Sequence, residues 1–325
     1  MKRRMILGLF LTCVLSICIC GLAEGQKPYP DKAIDIIVPY NPGGSSDLTT
    51  RIIALYLAKE WKVPVNVVNK LGASGILGTY YVMVAKPDGY TMLCEGHANS
   101  TIMDAFSPTK LPFDWRNRTF VCRQTVDVVF YLVRPDAPWK NLKELVEWTK
   151  QNPKKLKWGE SGIGLASGAQ FFAANNIPIK DVNRVTFTGG TATAAALAGS
   201  HIDFGAQQLS EVIGMVQGKK IRALAVLWPK RVPQLPDVPT ATEQGYPMLD
   251  AHGWHGISGP PGLPEDIARK WAETLERAST DPMFVRMADA ALKIISFLNP
   301  TQLKEFVEVE HKKYLELAKA LEIRK

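Results

Sequence analysis

Short apolar runs alternate along the chain with stretches whose apolar residues recur at helical spacing. Residues 34–38 form the first run, and Leu48, Ile52, Leu55 and Tyr56 fall on one face of the helix expected after it. A strand over 65–68, a helix over 76–85 and a strand over 91–94 continue the alternation, with Pro87-Asp88-Gly89 turning into the last. That βαβαβ order predicts a parallel sheet with helices on its faces.

After Ser107-Pro108 the pattern becomes irregular, and it resumes in an apolar run, 126–133, that stops at Arg134-Pro135-Asp136-Ala137-Pro138. So long a run ending in a proline-rich corner predicts a crossing between two lobes. A second series follows: helix 142–149, strand 156–158, helix 169–175, strand 184–187, helix 191–198, strand 202–206, helix 210–217 and strand 223–226. Prolines crowd 229–262, and a return crossing is expected near 252–257. Two helices close the chain, 265–278 and 301–321, the second with Leu303, Val307, Glu310, Tyr314, Leu317 and Leu321 at spacings of three and four. The expected fold is α/β with two lobes, each a mostly parallel sheet flanked by helices, and two crossing strands as hinge. Residues 27–130 with 252–325 make the first lobe and 131–251 the second.

The N-terminus changes the picture first. Lys2, Arg3 and Arg4 precede an apolar run, 5–20, and Gly21-Leu22-Ala23 supplies small residues at a cleavage site, so 1–23 reads as a cleaved export signal. Without it, 36 basic residues face 31 acidic ones, scattered rather than blocked, which favours a small anionic ligand over nucleic acid. Cys94 and Cys122 then remain, both in expected strands, as core thiols or a disulfide.

Candidate chemistry gathers where strands meet helices. In Tyr40-Asn41-Pro42-Gly43-Gly44-Ser45-Ser46-Asp47 a glycine turn opens a helix whose first N–H groups and macrodipole suit an anion. Residues 69–75, with Ser74, and 159–168, with Ser161, Gly162, Gly164, Ala166 and Ser167, repeat the design. His97 and Asn99 follow another strand end, and Thr188-Gly189 a further one. In open parallel sheets such ends converge on one crevice. Enzymatic motifs fail: no Gly-x-Ser-x-Gly occurs, and the glycines at 214 and 218 are one residue too close for a phosphate loop. Gly162-Ile163-Gly164 approaches a dinucleotide fingerprint, but Asp181 precedes the next strand instead of ending it. The five histidines lack metal spacing.

The segments Tyr29-Pro30, 38–47, 69–75, 86–93, 133–138, 221–226 and 235–240 together resemble the Bug/TctC family, periplasmic receptors of tripartite tricarboxylate transporters, in order over nearly all of the chain after residue 23. The resemblance implies a periplasmic-binding-protein (Venus flytrap) fold that closes on a small carboxylate. It implies ligand contacts at Tyr40, Gly43, Gly44, Ser45, Ser46 and Asp47, at the turn from Ser161 to Ser167, at Asp203 and at Gln207-Gln208. Where the family often has Tyr-Lys-Gly, this chain has Phe187-Thr188-Gly189. The expected partners are a carboxylate and membrane transporter subunits, with no nucleic acid, cofactor, metal or catalytic residue, and the expected state is a periplasmic monomer. Two alternatives use the same residues, an exported ligand sensor without a transporter and a dinucleotide-binding enzyme.

Overall fold

The computed structural model describes residues 28–107 and 109–323, so the expected export signal, 1–23, lies outside the described residues. The described residues 28–31, with a cis bond between Tyr29 and Pro30, belong to a unit separate from the rest. The remainder, 32–325, is one unit built on a ten-stranded mixed sheet.

Ten strands are β1 Ile34–Val38, β2 Val65–Asn69, β3 Thr91–Gly96, β4 Thr119–Val133, β5 Lys157–Glu160, β6 Asn183–Thr186, β7 Phe204–Gln208, β8 Arg222–Val226, β9 His252–Gly259 and β10 Ile294–Leu298. The helices are α1 Ser45–Trp61, α2 Ile76–Met83, α3 Leu142–Gln151, α4 Ile163–Ala174, α5 Gly190–Ala198, α6 Leu209–Gln217, α7 Glu265–Ala278, α8 Pro282–Ala290 and α9 Pro300–Ala320. Strand order is β2-β1-β3-β9-β4-β7-β5-β6, with β8 and β10 also paired to β4. β1 pairs in parallel with β2 and β3, and β5 with β6 and β7, while every pairing of β4 and β9 is antiparallel.

β4 organises both halves. Residues 119–128 pair with β9, and 129–133 pair with β7, so the strand leaves one half of the sheet at Val128 and enters the other at Val129. Two register shifts along β9 let it curl. Its second stretch is apolar at every position because both faces are covered. Val129, Tyr131 and Val133 enter a core with Trp158, Phe171 and Phe204, whereas Val128, Phe130 and Leu132 meet Leu197 and Val212. β9 pairs with β3 and β4 alone, so the expected return crossing is a central strand of the first half. α9 buries Leu303 and Val307 beside Trp254, and Tyr314 and Ala318 in the core of the second half.

Three expectations change. Leu55 is 61% exposed; the buried side of α1 carries Ile52, Ile53, Tyr56 and Leu57. α8 and β10 went unseen, since β10 takes its partner, β4, from about 170 residues earlier. The third concerns the turn at 159–168. It shrinks to Ser161-Gly162, where Gly162 takes φ +46° and α4 starts at once, six residues early. Gly168 then lies inside α4, where an added Cβ would stand 2.4 Å from the buried Trp158 indole. Gly168→Val is expected to lower unfolding free energy by about 1–3 kcal/mol, read from urea titration. A loss within about 0.5 kcal/mol would mean that the helix is not held against the indole.

Candidate functional site

A cavity of about 330 Å³ opens where the two halves of the sheet meet. Its wall draws on the ends of β1, β3, β5, β6 and β7 and on the helix starts that follow them, as expected for carboxyl ends in a doubly wound sheet. Tyr40, Gly44, Ser45, Ser46, Ser74 and His97 line it from the first half, and Ser161, Gly162, Thr188, Gly189 and Gln207 from the second. Ile76, Ile102, Met103, Phe106, Ile163 and Leu165 make much of the remaining wall apolar. Asn41 Nδ2 donates to Thr188 Oγ1 at 3.3 Å, tying the two halves together beside the cavity.

The glycine turn before α1 is built differently from the expectation. The strained position is Gly43, at φ +77°, whereas Gly44 is extended at φ −75°. Gly43 N–H donates to Asp47 Oδ2 at 2.9 Å, and Gly44 N–H to the Asn41 carbonyl at 3.3 Å. Ser45 N–H donates at 3.3 Å to Glu211 Oε1, a carboxylate brought across from α6. The protein thus supplies its own acceptors to the start of α1. Asp47, nearly fully buried, also takes Arg51 and Asn69, which hold its carboxyl below the usual range although burial pushes it up. It braces the turn.

Beneath the wall lies a buried ion pair. Lys293 Nζ stands 2.8 Å from Asp127 Oδ2, donates to Ser45 Oγ at 2.5 Å and reaches Ser210 Oγ at 3.1 Å. Ser45 Oγ donates to Asp127 at 2.5 Å, and His255 Nδ1 approaches the same carboxylate to 3.4 Å. Lys293 and Asp127 therefore join the start of α1, the middle of β4 and the start of α6. His97 accepts the Trp254 N–H on Nδ1, and burial, aided by His255, holds its pKa down to about 3, so it presents a neutral ring.

On the second half, Ser161 Oγ lies 3.1 Å from Thr193 Oγ1 and accepts from Gln207 Nε2 at 3.3 Å. Gly164 faces the Ala206 carbonyl, Ala166 is buried and Ser167 is wholly buried with its carbonyl on Tyr131 Oη, so these three sit outside the wall. Gly43, Asp47 and Asn99 are outside it too, the last donating to the Cys94 carbonyl. Asp203 is remote from the cavity, bound to Arg134 and the Lys157 N–H. Gly164 and Gly168 pack closely against Ala206 and Trp158, and Asp181 lies outside the wall. Cys94 and Cys122 are free, and burial pushes both thiols up to about 12.

Sequence reasoning missed the charged wall: Glu160, Arg184 and Glu211. Glu160 ends β5, and its carboxylate takes the Arg184 guanidinium at 2.8 and 3.1 Å and the Thr186 hydroxyl at 3.0 Å. Glu211 sits in the first turn of α6. Its signal was the same strand-end rule that found the glycine turns.

The tripartite tricarboxylate transporter family receptor model matches residues 49–323. A UPF0065 protein of Bordetella pertussis is 30% identical over 271 residues, 83% of this chain and 84% of that protein. The periplasmic binding protein BugD superposes with a TM-score of 0.81 at 27% identity, over 91% of this chain and all of its own. MatC from Rhodopseudomonas palustris, solved with bound malate, superposes at 0.81 with 25% identity, over 89% of this chain and 99% of its own. The curled mixed sheet with flanking helices is the periplasmic-binding-protein fold. Among the described residues no helix is long and apolar enough to cross a membrane.

Proposed function

The chain belongs to the tripartite tricarboxylate transporter receptor family, and on that premise we propose that it is an extracytoplasmic receptor that closes on a small carboxylate-bearing solute and delivers it to a membrane transporter. The observation that carries the reading is the cavity, walled from both sides of β4 by strand ends and helix starts. A solute held there touches both halves and so favours their approach. MatC, a relative in fold, holds malate. The basic and apolar character of 1–23 supports export to the periplasm, and the halves proposed to move are 27–130 with 252–325 and 131–251. Tyr40, Ser45, Ser46, Ser74, His97, Ser161, Gly162, Thr188, Gly189 and Gln207 are the proposed contacts, acting through hydroxyls, amides and backbone groups.

A thermal-shift screen of mono- and dicarboxylates tests this. A carboxylate at a hundred times its dissociation constant should stabilise the fold by about 2.7 kcal/mol. The same compound should reduce the radius of gyration in solution scattering. A screen of such acids without one stabilising compound would remove the receptor reading, and a hit that leaves the scattering curve unchanged would remove closure.

A further inference from the structure

α2 turns an apolar side outward. It has no charged residue from Ile76 to Met83, and Gly78, Thr79, Val82 and Met83 make its buried side. Leu77, Tyr80, Tyr81 and Val84 follow one another at i, i+3, i+4 and i+7, the spacing of a single helix face, and all four are between 42% and 62% exposed. Leu71 is exposed as well, beside the Gly72 on which Leu77 rests, and Phe113 stacks on Tyr80 with ring centroids 6.3 Å apart. Of the ten large apolar side chains exposed among the described residues, five thus lie between Leu71 and Val84, a patch rather than a scatter. A helix apolar on every side is ordinarily enclosed, so this face has a partner.

We propose that the partner is the surface of an anionic lipid bilayer. From residue 61 to residue 87 the chain carries Lys62, Lys70 and Lys86 and no acid, and Lys70 Nζ lies 4.1 Å from the centroid of the Tyr81 ring. Asp114, next to Phe113 in sequence, is matched by Arg116. Apolar side chains beside tyrosines and lysines suit the boundary of a bilayer, where rings and lysine stems sit among the headgroups and the ammonium groups meet lipid phosphates. A second copy of the chain would set the same lysines against one another with no acid between them. A protein interface carries about one hydrogen bond per 100–200 Å², whereas this face offers two tyrosine hydroxyls as its only side-chain donors besides lysine. Ala73 and Ser74 in the turn before α2, and Ile76 at its start, line the cavity, so a receptor seated on this face holds its solute close to the bilayer. The periplasmic leaflet as its target comes from the export reading above; the contact itself needs no solute.

Sedimentation with lipid vesicles tests this on the exported form, residues 24–325, because the apolar run 5–20 would insert by itself. The protein should bind vesicles of equal parts phosphatidylcholine and phosphatidylglycerol, more weakly those of phosphatidylcholine alone, and less as salt rises. Leu77→Glu should weaken binding roughly tenfold or more, and Lys70→Gln and Lys86→Gln about fivefold each. Val84→Glu, on the next turn, repeats the first test should Leu77→Glu fail to fold. Wild-type protein that leaves both vesicles unbound overturns the inference, and the receptor reading stands because no carboxylate enters the assay. Vesicle binding that survives both glutamate variants overturns the assignment to α2. A dimer in light scattering that Leu77→Glu dissolves, without vesicle binding, gives the face to a second copy and overturns the bilayer.

Discussion

Replacing Lys293 by methionine is expected to destabilise the protein by about 3–5 kcal/mol, because it leaves the Asp127 carboxylate buried without its partner. Both side chains are fully buried. Burial by itself pushes the Asp127 carboxyl up, yet Lys293, with His255, holds it far below the ordinary range, so Asp127 is a carboxylate in the fold. In the variant, Ser45 and Ser210 stay as donors but supply no charge. Urea titration reads the loss. Lys293→Met combined with Asp127→Leu should recover most of it, since an apolar pair avoids the desolvation that the ionic one incurs. A single variant within about 1 kcal/mol of wild type would show that the pair is hydrated rather than sealed at the junction.

The second large effect is a pH dependence centred on Glu211. Burial raises its pKa from 4.5 to about 7, with Asp127 adding to the rise while Ser45 N–H, Lys293 and Gln208 N–H oppose it. For an acid whose folded pKa is raised, the folded state binds more protons between the two values. Stability from this group is therefore complete below about pH 4.5 and is lost as pH rises through about 7. Integrated over the shift, the loss is about 3 kcal/mol. Buried histidines such as His97 and His255 have lowered pKa values and change stability with the opposite sign, in wild type and variant alike. The measurement is thus the difference in unfolding free energy between wild type and Glu211→Gln from pH 4.5 to 8. It should move by about 3 kcal/mol against the wild type as pH increases. A flat difference would mean that the Glu211 carboxylate is open to water.

The order of strands and helices was legible because each apolar run fixes a local choice. Residues 34–38 and 126–133 could be little else, and the stripe from Leu303 to Leu321 fits its helix even at Glu310, whose carboxylate takes Thr101 and the Trp254 indole in the core. The family resemblance was legible for the same reason, being carried by turns of fixed composition. What escaped depended on contacts between distant residues. Gly164 and Gly168 read as part of a glycine turn before the helix, while their work is to let α4 lie against Ala206 and Trp158. Ser45 and Ser46 read as ligand contacts at a helix start, while Ser45 donates its hydroxyl to Asp127. Glu211 reads as one polar residue on an amphipathic helix, and only the packing of α6 beside α1 turns it into an acceptor for Ser45 N–H.

The two ends of the chain are spliced into one half of the sheet: β1, β2 and β3 come from residues before 97, β9 and β10 from residues after 251, and β4 lies among them. The half that forms first in sequence is thus the last that can be completed. Pairings of β4 with β9 and β10 span well over a hundred residues, so their loop-closure entropy must be met before they contribute, and folding is expected to be slow for a protein with so many helices. A chain ended before β9 lacks the strand that joins β3 to β4, leaving an open edge on each. Such fragments, produced by truncation or early arrest of synthesis, should expose two adhesive edges and aggregate, while the full-length chain buries both and unfolds as a single cooperative body.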